Sequence, residues 1–301
     1  MNAMQEAMMK RDDMTMPLPV SGEYGADAAD VSNTVLSANR VEKTYRNGTR
    51  ALDEVRLDIK RGEFVSLLGP SGCGKSTLLK MFAGLEEPSH GHIRWWGKNL
   101  ATVGTPDRTL AMVFQEATLM PWASVVQNVR LPLELKHMPR TESDVRVRDA
   151  LKLVGLDRFE DAYPRELSGG MQMRASIARA LATRPNLLLM DEPFGALDEF
   201  TRNKLDADLR KIWSQQDLTV VFVTHSIYEA VYLSSRVVVM AARPGRVIAD
   251  VPIEAPGAGG MRDDAFRISP EFMGYCKILS DYLTLANQEN QEGGAHDAAH
   301  H

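Results

Sequence analysis

The chain has 301 residues, and this length allows one large domain or two modest ones. Its 44% hydrophobic and 25% charged residues are ordinary for a globular protein, and the net charge of −5 does not favour nucleic acid as a partner. Two cysteines are too few for a disulfide framework, which fits a reducing compartment. No apolar run approaches the roughly 18 residues that span a bilayer, and no basic segment leads into an apolar one as in a secretion signal. We therefore expect any membrane association to depend on a partner.

Residues 1–34 are polar and rich in methionine, a composition that favours a flexible N-terminal extension over a short packed helix. After this segment, alternating apolar residues predict strands at 35–45, 51–59 and 64–68. Residues 60–63 (Lys-Arg-Gly-Glu) are typical of a hairpin turn between the last two of these strands.

A phosphate-binding pattern, G-x-x-x-x-G-K-[ST], follows the strand at 64–68 and precedes the first turns of a helix. Its residues are Gly69, Pro70, Ser71, Gly72, Cys73, Gly74, Lys75, Ser76 and Thr77. Glycines let successive backbone N–H groups converge on one anion, and the helix N-terminus adds positive charge there. Lys75 can reach the β- and γ-phosphates, and the Ser76 hydroxyl is a natural Mg²⁺ ligand. Glycine-rich turns also occur as plain connectors, but strand, loop and helix in register predict a site for a nucleoside triphosphate.

Cys73 lies inside this loop, near Lys75 and the N-terminus of a helix. Both features lower the pKa of a thiol, so we expect a reactive cysteine that Mg-ATP protects from labelling. Burial of the side chain would instead leave the thiol inert.

The next segments predict a strand at 109–114 and a mainly helical region at 125–183. The clearest helix runs over 141–154, with Thr141 as its N-cap and Gly155 as its stop. Short apolar runs at 187–190, 218–223 and 236–241 are typical of buried parallel strands, and the helices between them indicate a doubly wound α/β core. From residue 256 the chain is glycine-rich, then weakly helical over 271–285, then polar to residue 301, and we expect a C-terminal tail that ends in disorder.

Two carboxylates, Asp191 and Glu192, end the apolar strand at 187–190. Ligands in α/β sheets bind beyond the carboxyl ends of the strands, so Asp191 is placed to hold Mg²⁺. Glu192 can accept a proton from an attacking water. Such a pair can also merely cap the next element, but the phosphate loop upstream favours the catalytic interpretation.

A second glycine-rich helix start, Ser168-Gly169-Gly170, precedes a helix that contains Arg174 and Arg179. A helix N-terminus of this kind can bind an anion, although Ser-Gly-Gly is also a common turn. One nucleotide rarely needs two such loops, so the second loop is predicted to serve a neighbouring copy of the chain.

The types and the order of its motifs make this chain closely resemble the ATP-binding subunits of ABC transporters over about residues 35–250. The motifs are the phosphate loop, Gln115, Leu167-Ser168-Gly169-Gly170-Met171-Gln172, Met190-Asp191-Glu192-Pro193, Gly195-Ala196-Leu197-Asp198 and His225. The resemblance implies a P-loop NTPase domain at 35–255 with a mainly parallel core sheet and an antiparallel β subdomain. It also implies an inserted helical subdomain at about 118–183.

The resemblance also implies roles for single residues. Tyr45 would stack on adenine, Gln115 would touch Mg²⁺ and the attacking water, and His225 would contact the γ-phosphate. Ser168, Gly169 and Gly170 would bind the γ-phosphate held by a second copy, and Asp198 would contact that copy. From the residues alone, ordinary structural side chains at strand ends are the less favoured alternative for Tyr45, Gln115 and His225.

Finer patterns, at 113–122 and in Ala242-Arg243-Pro244-Gly245-Arg246, look like the importer branch for nitrate, sulfonates, taurine and bicarbonate. Met173 and Ser226 depart from that pattern, and the segment after Pro252 lacks the branch's Pro-Arg-rich stretch. The resemblance implies an ATPase that uses ATP and Mg²⁺, forms a dimer and acts peripherally at the cytoplasmic face of the membrane. Its partners would be separate permease subunits and, indirectly, a solute-binding protein.

Other classes fit the chain less well. Translation ATPases of this family carry two cassettes and repair ATPases carry long coiled coils, neither of which is evident here. An importer for another small solute, or a homologue without hydrolysis, remains an alternative, although Lys75, Asp191, Glu192 and His225 are all present. Trp122, in the apolar stretch after Gln115, either closes the core of the helical subdomain or forms a docking surface for the permease.

Overall fold

We describe a computed structural model that covers residues 33–105, 107–254 and 262–297, with side chains up to residue 286. The expected extension at 1–34 therefore lies outside the described residues, apart from Asn33 and Thr34. The strands are β1 (Thr34–Thr44), β2 (Arg50–Lys60), β3 (Phe64–Leu68), β4 (His90–Trp95), β5 (Leu110–Val113), β6 (Leu187–Asp191), β7 (Thr219–Thr224), β8 (Arg236–Ala241) and β9 (Arg246–Pro252). The α-helices are α1 (Lys75–Phe82), α2 (Val125–Leu135), α3 (Arg140–Leu153), α4 (Gly169–Leu181), α5 (Glu199–Gln215), α6 (Ile227–Leu233), α7 (Asp264–Arg267) and α8 (Pro270–Asp297).

The core is a six-stranded sheet in the order β5-β6-β7-β3-β8-β9. All neighbouring pairs are parallel except β8 and β9, which are antiparallel. Strands β3 and β7 are buried along their whole length, which explains why they are continuous apolar runs rather than alternating ones. The predicted α/β fold with a mainly parallel core sheet is confirmed.

A separate three-stranded antiparallel sheet, in the order β2-β1-β4, forms the predicted β subdomain. The predicted hairpin between β2 and β3 is wrong, because the two strands belong to different sheets. Thr34 pairs with Lys60 across β1 and β2, whereas β3 pairs with β7 and β8. Gly62, at φ 75°, bends the chain from one sheet to the other, and its N–H donates to the Thr219 hydroxyl at 3.0 Å. Turn residues alone cannot distinguish such a crossing from a hairpin, since both need the same local bend.

Helices α2, α3 and α4 form the expected helical insertion between β5 and β6. Helix α3 begins at Arg140 with Pro139 in the N-cap position, so the prediction of Thr141 as N-cap is wrong. Proline fixes a φ suited to a helix start, and the Pro139 carbonyl accepts from the Ser143 N–H at 2.9 Å. The helix ends at Leu153, and Gly155 at φ 68° follows it as predicted.

The C-terminal segment packs against the core sheet. Helix α8 extends from Pro270 to Asp297, beyond the helix predicted at 271–285. Phe272, Cys276 and Leu279 are buried in the larger core cluster. Residues 262–286 therefore belong to the domain rather than to a separate tail, while the glycine-rich segment at 256–261 and residues 298–301 lie outside the described residues. In the described part of the chain, no helix is both long and apolar enough to span a membrane.

Candidate active site

The phosphate loop connects β3 to α1 at the carboxyl edge of the core sheet. Gly72 and Gly74 have φ angles of 78° and 86°, a conformation that favours glycine. A Cβ on Gly74 would lie 2.8 Å from the Ala51 carbonyl oxygen, so no other residue fits against β2 there. The loop lines a cavity of about 420 Å³ together with Glu192 from the end of β6. Six of the nine predicted loop residues, all except Gly69, Pro70 and Cys73, therefore line one cavity.

Lys75 is the first residue of α1, and only 4% of its surface is exposed. Its ammonium group donates to the Gly69 and Pro70 carbonyl oxygens, at 2.8 and 3.0 Å. It also lies 3.9 Å from the Glu192 carboxylate. The loop carbonyls thus hold the Lys75 ammonium at the wall of the cavity. There it can replace a hydrogen bond to a carbonyl with one to a phosphate oxygen.

Ser76 and Asp191 meet directly, because the Ser76 hydroxyl donates to Asp191 Oδ1 at 2.7 Å. Burial, with the nearby Glu192 charge, raises the pKa of the Asp191 carboxyl, and the Ser76 hydrogen bond partly opposes this rise. A hydroxyl and a carboxylate are hard oxygen ligands that suit Mg²⁺, which commonly takes few protein ligands and completes its shell with phosphate and water. Of the three residues predicted to contact the metal, Ser76 and Asp191 therefore fit that ion, and Gln115 is described below.

Glu192 follows Asp191 and has a φ of 43°, in the left-handed region that is strained for a non-glycine residue. Its N–H donates to the Val223 carbonyl at 3.0 Å, which ties the residue to β7. Its Oε2 lies 3.2 Å from Nδ1 of His225, the residue just after β7. Two neighbouring strand ends therefore bring the predicted base and the predicted histidine into contact.

Gln115 follows β5, at the edge of the same group of residues. A Cβ on Gly195 would lie 3.8 Å from Gln115 Nε2 and 3.8 Å from Glu192 Oε2. Both side chains therefore approach Gly195 from the ends of β5 and β6. This juxtaposition supports the predicted place of Gln115 beside the attacking water, although its contacts with metal and water stay a prediction.

Tyr45 follows β1, and its hydroxyl lies 3.2 Å from Thr77 Oγ1, next to the phosphate loop. The ring is half-buried, and the Lys43 ammonium lies 5.2 Å from its centroid. Tyr45 lines an adjoining cavity of about 860 Å³ formed by residues 43–47 and 84–87. The side chain is therefore close to the phosphate loop, and stacking on adenine stays a prediction.

Ser168 and Asp198 are both N-cap residues of helices. The Ser168 hydroxyl accepts from the Met171 N–H at 3.3 Å, and Asp198 Oδ1 accepts from the Thr201 N–H at 3.0 Å. The bond from Thr201 lowers the pKa of the Asp198 carboxyl. A Cβ on Gly170 would lie 2.7 Å from Thr201 Cγ2, so the starts of α4 and α5 are packed together.

Neither of these helix starts contributes to the wall of the cavity around the phosphate loop. The structure thus groups Ser168, Gly169 and Gly170 with the loop that contains Asp198, apart from Lys75 and Glu192. This separation agrees with a role toward a second copy, which stays a prediction.

Comparison with known proteins decides the family. The sequence profile described as "ABC transporter" matches residues 52–195. An uncharacterized ABC transporter ATP-binding protein of Methanocaldococcus jannaschii, MJ0412, is 47% identical over 259 residues, 85% of this chain and 93% of the relative. The chain belongs to the ATP-binding proteins of ABC transporters. The resemblance inferred from its motifs is confirmed, and with it ATP hydrolysis coupled to transport.

Other relatives of this ABC ATPase carry names that state a substrate. The taurine import ATP-binding protein TauB of Rhizobium johnstonii is 46% identical over 76% of this chain and 87% of the relative. The aliphatic sulfonates import ATP-binding protein SsuB of Bacillus cereus is 41% identical over 77% of this chain and 91% of the relative.

The fold also matches solved cassettes. A dimeric structure of the bacterial ABC transporter cassette MJ0796 has a TM-score of 0.64 and 36% identity, and the match covers 74% of this chain and all of that one. A post-hydrolysis dimer of the same cassette, bound to ADP and phosphate, has a TM-score of 0.64 and 35% identity over the same shares of the two chains.

Two expectations about side chains near the ABC ATPase site are corrected. Cys73 is fully buried, and burial raises the pKa of its thiol despite the nearby Lys75 ammonium. The expected lowered pKa is therefore wrong, and the alternative of a buried, inert thiol is favoured. Trp122 is 76% exposed, so the interpretation of Trp122 as core is also wrong.

Sequence reasoning missed several residues in the wall of the phosphate-loop cavity. Thr49, Arg50 and Ala51 come from the start of β2, and Arg243 comes from the loop after β8. Arg243 appeared only as part of a branch-specific pattern. Its position in the wall depends on β8 lying next to β3 in the sheet, which no local pattern reveals.

Proposed function

We propose that this ABC ATPase energises the import of a small anion such as taurine or another sulfonate, with nitrate and bicarbonate as further candidates. The observation that carries the proposal is the 46% identity to TauB over 87% of that relative. The 41% identity to SsuB, over 91% of it, supports the same branch. An importer for another small solute is the alternative, since the solute does not touch this subunit.

We propose that the reaction begins with the phosphates of ATP on the loop at 69–77, where Lys75 is held by two carbonyl oxygens. In the proposed mechanism, Ser76 and Asp191 would hold Mg²⁺, and the bound ion would neutralise charge on the phosphate oxygens. The direct contact of these two side chains supports their joint role.

Glu192 would accept a proton from the water that attacks the γ-phosphorus. His225, whose Nδ1 lies 3.2 Å from the Glu192 carboxylate, would contact a γ-phosphate oxygen and help to position the water. Gln115, whose amide lies beside Gly195 as the Glu192 carboxylate does, would help to hold the water. The new P–O bond forms as the bond to the ADP oxygen breaks, and the proton of the water passes to Glu192.

The proposed assembly is a dimer in which Ser168, Gly169, Gly170 and Asp198 of one copy complete the site of the other. It would bind separate permease subunits at the cytoplasmic face of the membrane, with a solute-binding protein as an indirect partner. The exposed Trp122, beyond β5 and Gln115, is proposed as a contact for the permease, since exposed tryptophans are frequent interface anchors.

Glu192→Gln tests the hydrolytic mechanism. We expect turnover to fall at least about a hundredfold with ATP affinity preserved, because the amide keeps the shape of the carboxylate but cannot take a proton. Phosphate release and nucleotide binding measure the two quantities. Glu134→Gln, at an exposed carboxylate of α2 that is 3.7 Å from Arg140, is the matched control. Near-normal hydrolysis by Glu192→Gln would contradict the role.

Uptake of labelled solutes tests the importer assignment. Cells that express this ATPase with its permease should take up taurine or an alkanesulfonate, and Glu192→Gln should abolish that uptake. Uptake of an unrelated solute with no sulfonate, nitrate or bicarbonate transport would favour the alternative importer.

A further inference from the structure

Arg243 is a cation of the phosphate-loop cavity that has no polar partner in the described part of the chain. The side chain is exposed and contributes to the wall of the cavity of about 420 Å³. Among the described residues, its guanidinium has no hydrogen-bond or ion-pair partner. By contrast, Arg50 in the same wall pairs with Asp53 at 2.5 Å and with Glu42 at 3.3 Å. Within the described structure, Arg243 is therefore a cation of this wall whose donors are all available to an anionic ligand.

The segment around Arg243 is docked on the phosphate loop. A Cβ on Gly245 would lie 2.2 Å from the Cys73 carbonyl oxygen and 2.8 Å from that of Ala51. The Gly245 N–H donates to the Ala51 carbonyl at 3.1 Å, and its carbonyl accepts from the Asp53 N–H at 2.8 Å. This close approach holds the end of the loop between β8 and β9 against the phosphate loop and β2.

The backbone of Arg243 is strained in the position that presents its side chain to the cavity. Its φ is 59°, in the left-handed region that costs about 1 kcal/mol for a non-glycine residue. Glycine would be the natural residue in this conformation. Strained residues of this kind cluster at sites that bind ligands.

The topology determines which part of a nucleotide Arg243 can reach. Strand β3, which leads into the phosphate loop, lies between β7 and β8 in the sheet. Glu192 and His225 follow β6 and β7 on one side of the loop, whereas Arg243 follows β8 on the other side. In the proposed mechanism the γ-phosphate lies near Glu192, and the same cavity extends to Arg243, so Arg243 lies within reach of the other phosphates.

We infer that Arg243 is a nucleotide-binding residue that donates charge-assisted hydrogen bonds to the α-phosphate of ATP and ADP. This inference rests on the binding of ATP in the phosphate-loop cavity. Because the α-phosphate is present before and after hydrolysis, Arg243 contributes equally to both nucleotides. Its removal raises KM and leaves kcat nearly unchanged.

Arg243→Gly tests the inference with little danger of unfolding, because glycine accepts the positive φ. Fluorescent mant-ATP and mant-ADP are titrated into the wild type and the variant. We expect affinity for both nucleotides to fall about tenfold, with a melting temperature no lower than that of the wild type. Arg243→Lys keeps the charge but not the planar fork of donors, so its affinity for both nucleotides should lie between those of the wild type and Arg243→Gly.

Arg94→Ala, at an exposed arginine of β4 in the other sheet, is the control for general loss of positive charge and should bind both nucleotides like the wild type. Unchanged affinity in Arg243→Gly would overturn the inference, as would a loss confined to mant-ATP, which would place the contact at the γ-phosphate. Binding of mant-ATP by the wild type is a separate measurement. If the wild type does not bind mant-ATP, the result contradicts nucleotide binding in this cavity rather than the role of Arg243.

Discussion

At the scale of single residues, a buried charged cluster lies behind the active site. Asp206 on α5 is 1% exposed, and its Oδ2 accepts from Arg267 of α7 at 3.2 Å. Glu229 on α6 is also buried, and it lies 3.6 Å from Arg202 and accepts from the Thr224 hydroxyl at the end of β7. One oxygen of each carboxylate, Asp206 Oδ1 and Glu229 Oε1, has no hydrogen-bond partner within the described structure. Burial of carboxylates with incomplete pairing favours their protonated forms.

The Asp206 carboxyl makes the stability of the protein depend on pH. Burial, with the nearby charge of Glu229, raises the pKa of Asp206 from 3.8 to about 7. Between these values the folded state binds more protons than the unfolded state, so this group makes the free energy of unfolding fall as pH rises. Asp206→Asn removes this dependence. We expect the melting temperature of the wild type to decline relative to that of Asp206→Asn between pH 5 and pH 8.

Thermal denaturation at several pH values in that range measures the difference. Asp208→Asn, on the same helix and paired with Arg174 at 2.6 Å, is the matched control. Burial also raises the pKa of Glu229. Because the charges of Asp206 and Glu229 interact, the difference between the two proteins reports the titration of this pair. A constant difference in melting temperature between the wild type and Asp206→Asn would contradict the prediction.

At the scale of elements, helix α8 is an integral part of the core. Phe272 is 1% exposed and packs edge-on against Phe266 of α7, with ring centroids 5.4 Å apart. Buried Arg262 precedes both helices and donates to the carbonyl oxygens of Val231, Tyr232, Ser234 and Ile253. These contacts join the C-terminal helices to α6 and to the segment just after β9.

Neighbouring residues of α8 allow a matched test of this packing. We expect Phe272→Ala to lower the free energy of unfolding by about 3–5 kcal/mol, because a buried ring is replaced by a cavity. Met273 is 51% exposed, so Met273→Ala should change the free energy of unfolding by only about 0.5 kcal/mol. Urea denaturation of both variants measures the two effects. Similar losses in the two proteins would show that α8 is not held by its buried face.

At the scale of the whole molecule, the residues proposed to act on ATP lie in two separate groups. The phosphate loop, Asp191, Glu192 and His225 form one group, and Ser168, Gly170 and the loop with Asp198 form another. Dimeric solved cassettes that match 74% of this chain show how two copies of such a fold can associate. A bulky charge at Ser168 should therefore affect assembly and leave the chain's own nucleotide cavity intact.

Ser168→Arg, introduced into Glu192→Gln, tests this arrangement. Glu192→Gln alone should form an ATP-bound dimer, since it loses hydrolysis and a negative charge near the γ-phosphate. We expect the double variant to stay monomeric in ATP and still bind the nucleotide. Size-exclusion chromatography and a binding titration measure the two properties. Ser214→Arg, at an exposed serine near the end of α5, is the control. A dimer that persists in the double variant would contradict the divided site.

The sequence by itself determined the chemistry of the phosphate loop, because that chemistry is local. Glycines at fixed offsets, Lys75, Ser76 and the following helix lie within a few residues of one another. The apolar runs of β3, β6, β7 and β8 were predictable for a similar reason, since strands buried on both faces have no alternation of polar residues. The acidic pair after β6 and the histidine after β7 could then be assigned to the same edge of the sheet.

Only the tertiary structure decided which distant residues share a surface. Residues 60–63 proved to be a crossing between two sheets, because the partners of β2 and β3 are set by the packing of the whole domain. Cys73 proved buried and Trp122 exposed, although both lie in segments whose composition permits either outcome. Arg243 reaches the nucleotide cavity because β8 pairs with β3, more than 160 residues earlier in the chain. Such pairings depend on the burial of the whole sheet, and no local pattern of residues encodes them.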